Sequence, residues 1–435
     1  MAPRPWNRNL QIGLQRGRDL LERYSWVLPG PRTTLTLMVA AAVLCRVIWL
    51  TLPHKSLIFD ESYYVNAARV ILGWHVPAGA AYADQTRFLD PNQEHPPLAK
   101  LLIAGSMFIF GDNGVGWRLP SVIAGIAAIP VLYRLVVAAG GAVWLAVLAS
   151  TIFAFDNLVL VHSRIGTLDM MQLLFMLIGV WLWFEKRPLL AGAACAAATM
   201  MKIGGIYALA SIVLLELLRT GWSWRYAGGT LRPNLRVLGF LVGSFGITWL
   251  AGMWILDLWV TRFWTPWDHL GYILKYGFGL QRARGPAGIE SYPWQWIIND
   301  VQIPYLKVDQ NILVNGKVTE TRPTVWFRGA MNPILIGAAP LGIAYSLWRA
   351  LKTGEALSLW VVAWVTGNYL TFYPTSMIGH RISYIFYFLP TIPAVAVAIA
   401  QLLRDAAVPR LVTAGYLVVF LVGFLGYFPF RVPPT

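Results

Sequence analysis

The chain is short of charge and nearly free of cysteine. Charged residues make up 13% of its 435 positions, about half the share usual in soluble domains, so a water-soluble fold could not cover the 57% that is hydrophobic. The two cysteines, Cys45 and Cys195, both lie in apolar runs, which argues against a disulfide framework or a thiolate metal site. Acidic residues are the scarcer sign, 20 against 35 basic. The surplus is not a nucleic-acid signature, because the basic residues stand at the ends of apolar runs and in short loops, where the positive-inside rule puts them. No small-residue cleavage site follows the first apolar run, so residues 1–33, with Arg4, Arg8, Arg16, Arg18, Arg23 and Arg32, read as a cytoplasmic tail on anionic lipid rather than a leader. Repeats and low-complexity tracts are missing, and no acidic ligand cluster stands beyond Asp60–Glu61, so no metal and no cofactor is expected.

What is present is a series of apolar runs of about 20 residues, long enough to cross a hydrocarbon core. Tryptophan (21) and tyrosine (18) are abundant, many flanking these runs as interfacial anchors do. The expected spans are 34–52, 119–138, 141–160, 168–185, 188–203, 205–219, 235–256, 330–349, 356–373, 382–403 and 410–428, giving an all-α polytopic membrane protein of about eleven helices. The pair within 188–219 reads either as two spans or as one broken helix. Segment 96–111 is apolar enough to span. Left on the outer face, it puts Arg134, Lys186–Arg187, Arg219–Arg236, Arg349–Lys352 and Arg404–Arg410 inside, as the charge rule requires. The N-terminus is then cytoplasmic, and the long loops 53–118 and 257–329 are external. Asn315–Gly316 between alternating segments predicts a small β-hairpin over Tyr305–Trp326.

This sidedness gathers ionisable residues on one face: Asp60, Glu61, His95, Lys100, Arg118, His162, Arg164, Asp169, Lys202, His380 and Arg381, with Trp117 beside them. Each has an ordinary explanation. Arg118, Lys202 and Arg381 suit snorkelling to headgroups. Asp169 suits a structural bridge to Arg164, and Asp60–Glu61 a helix start. Arg46 snorkels or pairs within its span, and Asp156 takes a hydrogen-bonded structural part. Convergence from six segments is what those explanations leave over, since ionisable groups near a membrane interior are costly and default to functional candidates. Cations with several donors bind phosphate, and a carboxylate nearby acts as a general base. The combination fits group transfer from a lipid phosphate to an acceptor hydroxyl.

Several motifs resemble those of bacterial protein O-mannosyltransferases. Phe59-Asp60-Glu61-Ser62-Tyr63-Tyr64-Val65 is similar to their Phe-Asp-Glu-x-Tyr-Tyr-Val, and His95-Pro96-Pro97-Leu98-Ala99-Lys100 to their His-Pro-Pro-Leu-Gly-Lys, with Ala99 replacing glycine. Gly116-Trp117-Arg118, the turn Ser163-Arg164-Ile165 with Leu168-Asp169, Ser291–Trp296 around Trp294, and Tyr384–Pro390 resemble further family motifs in the same order. The resemblance, from about residue 58 to 400, implies the GT-C glycosyltransferase fold over residues 34–428, flanked by the cytoplasmic segment 1–33 and an external tail 429–435. It implies a polyprenyl-phosphate sugar donor, inversion at the anomeric carbon, and Asp60 as base with Glu61 in support. Arg118 and the later basic residues Arg164, Lys202, His380 and Arg381 would hold phosphate, and His95, Lys100, Trp117, Asp169 and Trp294 would support the site or substrate.

The expected activity is mannose transfer to Ser/Thr hydroxyls of a translocated protein segment, emerging from a secretion channel, at the external face of the plasma membrane. Membrane lipids are partners and nucleic acid is not. The large loop has no room for the β-trefoil domain of eukaryotic members. Transfer of another polyprenyl-phosphate sugar, such as an arabinose, to lipid or cell-wall polysaccharide keeps the same site. A transporter or lipid flippase would instead carry its ionisable groups near the midplane, often with inverted repeats.

Overall fold

The computed structural model describes residues 30–429, apart from 55, 231–232 and 406–407; most of the expected segments 1–33 and 429–435, with Arg4, Arg8, Arg16, Arg18 and Arg23, lie outside them. In chain order come α1 (Pro31–Val47), α2 (Glu61–Ile71), α3 (Leu98–Phe110), α4 (Gly114–Ala138), α5 (Val143–Ala154), α6 (Asn157–His162), α7 (Asp169–Phe184), α8 (Pro188–Met201), α9 (Ile206–Tyr226), α10 (Leu235–Val260), α11 (Pro266–Gly279) and α12 (Pro293–Trp296). Strands β1 (Ile303–Val314) and β2 (Lys317–Gly329) follow, then α13 (Pro333–Thr353), α14 (Ala356–Val365), α15 (Phe372–Met377), α16 (Ile392–Asp405) and α17 (Arg410–Tyr427). Among the described residues six helical stretches are long and apolar enough to cross a bilayer, and several shorter apolar helices pack among them. The chain is a multi-pass membrane protein.

The expected spans fall largely on helical residues, but not as eleven continuous helices: 141–160, 356–373 and 382–403 each break or change helix type, the last opening with a 3-10 stretch over Ile385–Thr391. The expected helix 141–160 breaks because the Asp156 carboxylate accepts from the Leu158 and Val159 amides (2.9 and 3.1 Å) and from Asn332 N (2.9 Å), starting α6 anew. The carbonyl of Ala154, freed by the break, accepts from Arg46 (3.0 Å), which is fully buried rather than snorkelling. Between 188 and 219 there are two helices: Lys202 is extended (φ −158°, ψ 137°) and a 3-10 turn, Ile203–Gly205, starts α9. Gly205 is required there, since a Cβ would come within 2.2 Å of the Ala198 backbone. The span at 356–373 is interrupted by a π turn over Thr366–Leu370. Segment 96–111 folds as α3, whose 13 residues rise roughly 20 Å, short of a hydrocarbon core of about 30 Å.

The all-α expectation needs one correction, which the hairpin reading anticipated. β1 and β2 pair antiparallel from Ile303↔Gly329 to Val314↔Lys317, and Asn315 and Gly316 both take left-handed backbone (φ 52° and 77°), as a two-residue hairpin turn requires. The base of the hairpin is buried and its tip is exposed. In the helical bundle α4 packs on α7, α7 on α8, α8 on α10, and α13 and α5 on α16. From Ile392 to Ala400 the described side chains of α16 are enclosed almost completely, whereas α10 and α17 stay largely uncovered, as lipid-facing helices do.

Candidate functional site

One end of the bundle collects the polar residues, and its centre is Asp60. The chain leaves α1, turns through Phe59 in left-handed backbone (φ 53°), and presents Asp60 at the start of α2. The Phe59 ring fixes this turn by stacking on Tyr305 (4.1 Å) and meeting Phe386 edge-on (5.8 Å). Asp60 stands at the helix cap but makes no capping hydrogen bond. Its carboxyl is partly exposed and pushed up to about 7 by burial; the Lys202 ammonium pulls it down and Asp169 pushes it up again. Asp60 is thus a partly exposed carboxyl poised between its two protonation states at neutral pH.

Glu61 has a different environment. It is fully buried and takes four hydrogen bonds: a two-pronged pair from Arg118 (Nε 2.8 Å, Nη2 3.0 Å), one from Ile58 N (2.7 Å) and one from Gly166 N (2.8 Å). Gly166 approaches so closely that a Cβ there would lie 2.6 Å from the Trp117 carbonyl. Arg118 spends its remaining donors on the Leu50, Leu52 and Ser56 carbonyls (2.6, 3.1 and 3.3 Å). Arg164, also buried, donates to the Cys45 and Ile48 carbonyls (3.2 and 2.6 Å) and lies over Phe327 and Phe428 (5.6 and 6.0 Å). The expectation that Arg118 and Arg164 hold phosphate does not fit this geometry. Their planar donor sets satisfy carbonyls freed where α1 ends, and they fix the segment that carries Asp60. Glu61 holds that segment and is itself fully buried.

The cation beside Asp60 is Lys202. Its extended backbone at the end of α8 sends the ammonium to Asp169 (2.7 Å) and over the Phe386 and Tyr387 rings (5.4 and 5.8 Å). Both members of the pair keep some exposure, 15% and 12%. Asp169 therefore pairs with Lys202 and not with Arg164, and its other oxygen meets His162 Nδ1 (3.4 Å). His162 Nε2 lies 2.9 Å from the Tyr305 hydroxyl. A polar chain thus runs Lys202–Asp169–His162–Tyr305, closing on Phe59 next to Asp60. Tyr305, at the base of the hairpin, was not singled out from sequence; only the strand alternation placed it near a loop end.

The other expected residues divide. His95 is partly exposed against Tyr64 (ring centroids 5.9 Å). Burial, with the Lys202 and Lys100 charges behind it, holds its imidazole well below its ordinary range and hence neutral. Lys100 is fully enclosed, paired to Asp90 (2.5 Å) and bonded to the Asn92 and His95 carbonyls, so it holds the loop. Trp117 is buried too, donating to Asp112 (2.6 Å) beside Arg69. Trp294 is 39% exposed and stacks on Tyr292 (4.3 Å). His380 is exposed on left-handed backbone (φ 48°). Arg381 is partly exposed, bonds the Gly277 carbonyl, and acts electrostatically on His95, which places it at the same end.

Residues 94–242 match the family model of dolichyl-phosphate-mannose-protein mannosyltransferases. A polyprenol-phosphate-mannose–protein mannosyltransferase of Corynebacterium glutamicum is 29% identical over 125 residues, 28% of this chain and 24% of that protein. The chain thus covers about a quarter of the length of the curated relatives it matches. The Saccharomyces cerevisiae protein O-mannosyltransferase complex Pmt1–Pmt2, solved with its sugar donor, superposes with TM-score 0.67 at 12% identity, covering 92% of this chain and 89% of that one. The Cupriavidus metallidurans enzyme ArnT, solved with undecaprenyl phosphate, superposes with TM-score 0.54 at 16% identity, covering 92% and 63%. The fold is that of the GT-C glycosyltransferases.

Proposed function

We propose that this chain is a protein O-mannosyltransferase that moves mannose from a polyprenyl-phosphate donor to a Ser/Thr hydroxyl. The acceptor is a protein segment at the external face of the plasma membrane. The observation that carries the reading is Asp60, an unpaired carboxyl with a pKa of about 7 beside the Lys202–Asp169 pair. The acceptor hydroxyl gives its proton to the Asp60 carboxylate as its oxygen forms a bond to the anomeric carbon. The bond from that carbon to the phosphate oxygen breaks, and polyprenyl phosphate leaves as an anion, so configuration inverts. A phosphate leaving group needs cations rather than a proton; Lys202 and Arg381 supply them, with the His380 ring beside Arg381 as a further hydrogen-bonding group. Lys202 stays charged there because Asp169 fixes it, and the rings of Phe386 and Tyr387 add cation–π attraction.

The test is a panel of donors. Purified protein in lipid is given polyprenyl-phosphate mannose or polyprenyl-phosphate arabinose with a Ser/Thr-containing peptide. Mannose on the peptide supports the reading. Consumption of the pentose donor alone overturns the sugar, and movement of intact lipid across the bilayer without transfer overturns the enzyme.

A further inference from the structure

We propose that Glu94 is the carboxylate that recognises hydroxyl groups of the donor sugar; this rests on the sugar-transfer reading above. Glu94 lies in the loop between α2 and α3, directly before His95, and the mechanism does not use it. On both sides of it the backbone is pinned to buried groups. The Gln93 carbonyl accepts from His269 Nε2 (2.8 Å), and His269 Nδ1 meets Asp257 (2.6 Å), both fully enclosed. The His95 carbonyl accepts from the buried Lys100 ammonium (2.9 Å), and Asp90 N donates to the Val260 carbonyl (2.6 Å). Within this rigid frame Glu94 itself stays partly exposed. Its Oε1 accepts from Asn92 Nδ2 (2.6 Å), which also donates to the Tyr82 hydroxyl (2.9 Å).

The same wall reaches Asp60. His95 packs on Tyr64, whose amide donates to the Asp60 carbonyl (3.1 Å), one helical turn away. Tyr63, itself half exposed, meets Tyr82 edge-on (6.3 Å). Burial, and behind it the Glu94 charge, raises the phenols of Tyr82 and Tyr276, and Tyr64 feels it as well. Glu94 therefore sits among tyrosines, and both it and Asp60 act on Tyr64.

A carboxylate is repelled by a lipid phosphate, so this position does not suit the donor's anionic end. Ionised, it is acceptor-only, with two oxygens able to take bonds from neighbouring hydroxyls. Surrounding aromatic faces suit the C–H side of a sugar ring. A site built to bond a hydroxyl rejects an analogue that lacks it more strongly than an apolar pocket can, because its polar group is then left unpaired.

The experiment compares binding of polyprenyl-phosphate mannose and of bare polyprenyl phosphate to wild type, Glu94→Gln and Glu94→Ala. The expected result is an affinity loss of about tenfold or more for the sugar-bearing lipid, since the lost bonds are charge-assisted, and no change for bare polyprenyl phosphate or for melting temperature in Glu94→Gln. Equal losses for both lipids, or none for either, overturn the proposal. Failure of the transferase reading looks different: wild type binds donor but never glycosylates a peptide, while the Glu94 comparison is still read from binding.

Discussion

Asp60 and Glu61 are chemically alike and adjacent in the chain, yet burial and partners give them different work. Neighbouring helical residues do not share a face, so from sequence one of the two was expected to act and the other to support. In the structure Glu61 is fully buried on Arg118 while Asp60 is partly exposed beside Lys202. Arg118 was legible as important but not as structural, because a motif reports that a guanidinium is needed without saying whether carbonyls or phosphate take its donors. Replacing it tests the difference. Arg118→Ala leaves the Glu61 charge buried without its partner, which costs on the order of 3–5 kcal/mol. Melting temperature and yield should therefore fall, while the protein that remains folded binds donor with near wild-type affinity. Adding Glu61→Gln should recover part of the lost stability. Unchanged melting with a large loss of donor affinity would return Arg118 to the phosphate site.

At the scale of elements, hydrophobic runs were enough to locate the helical segments but not how many of them are long enough to cross a bilayer, and the Asn315–Gly316 turn was enough to locate the hairpin. The breaks were not legible. The run 141–160 is apolar apart from Ser150, Thr151, Asp156 and Asn157, and while Asp156 reads as hydrogen-bonded, nothing local says that it accepts from Asn332, 176 positions away. The joint at Lys202 is a similar case: the sequence shows a short pair of runs, while the extended residue that aims the ammonium at Asp169 depends on the close seating of Gly205 against α8. Tyr305 escaped notice for a third reason. Strand alternation says which residues share a face but not which helix end that face meets, and the Tyr305 hydroxyl finds its partner, His162, across 143 positions. Long-range pairing of this kind leaves no mark on periodicity.

At the scale of the whole molecule, the charge bias of the loops and the clustering of ionisable groups make one claim: the end of the bundle that holds Asp60, Asp169 and Lys202 faces outward. Cysteine placed at position 113, where α4 begins, should react with a membrane-impermeant thiol reagent added outside. Cysteine at position 186, between α7 and α8, should not react. Reversed labelling would put the site on the cytoplasmic side. The background should lack Cys45 and Cys195. The central claim, that the bundle assembles this end to make Asp60 a general base, is tested most directly by the pH profile of transfer in wild type and Asp60→Asn. A base works deprotonated, and the Asp60 carboxyl is raised to about 7, so wild-type transfer should rise with pH through about 7 and then level off. Asp60→Asn should bind donor normally and lose transfer by about 10²–10⁴ at every pH, the scale of removing a general base. An Asp60→Asn protein within a few-fold of wild type, with the same rise near pH 7, would contradict the account.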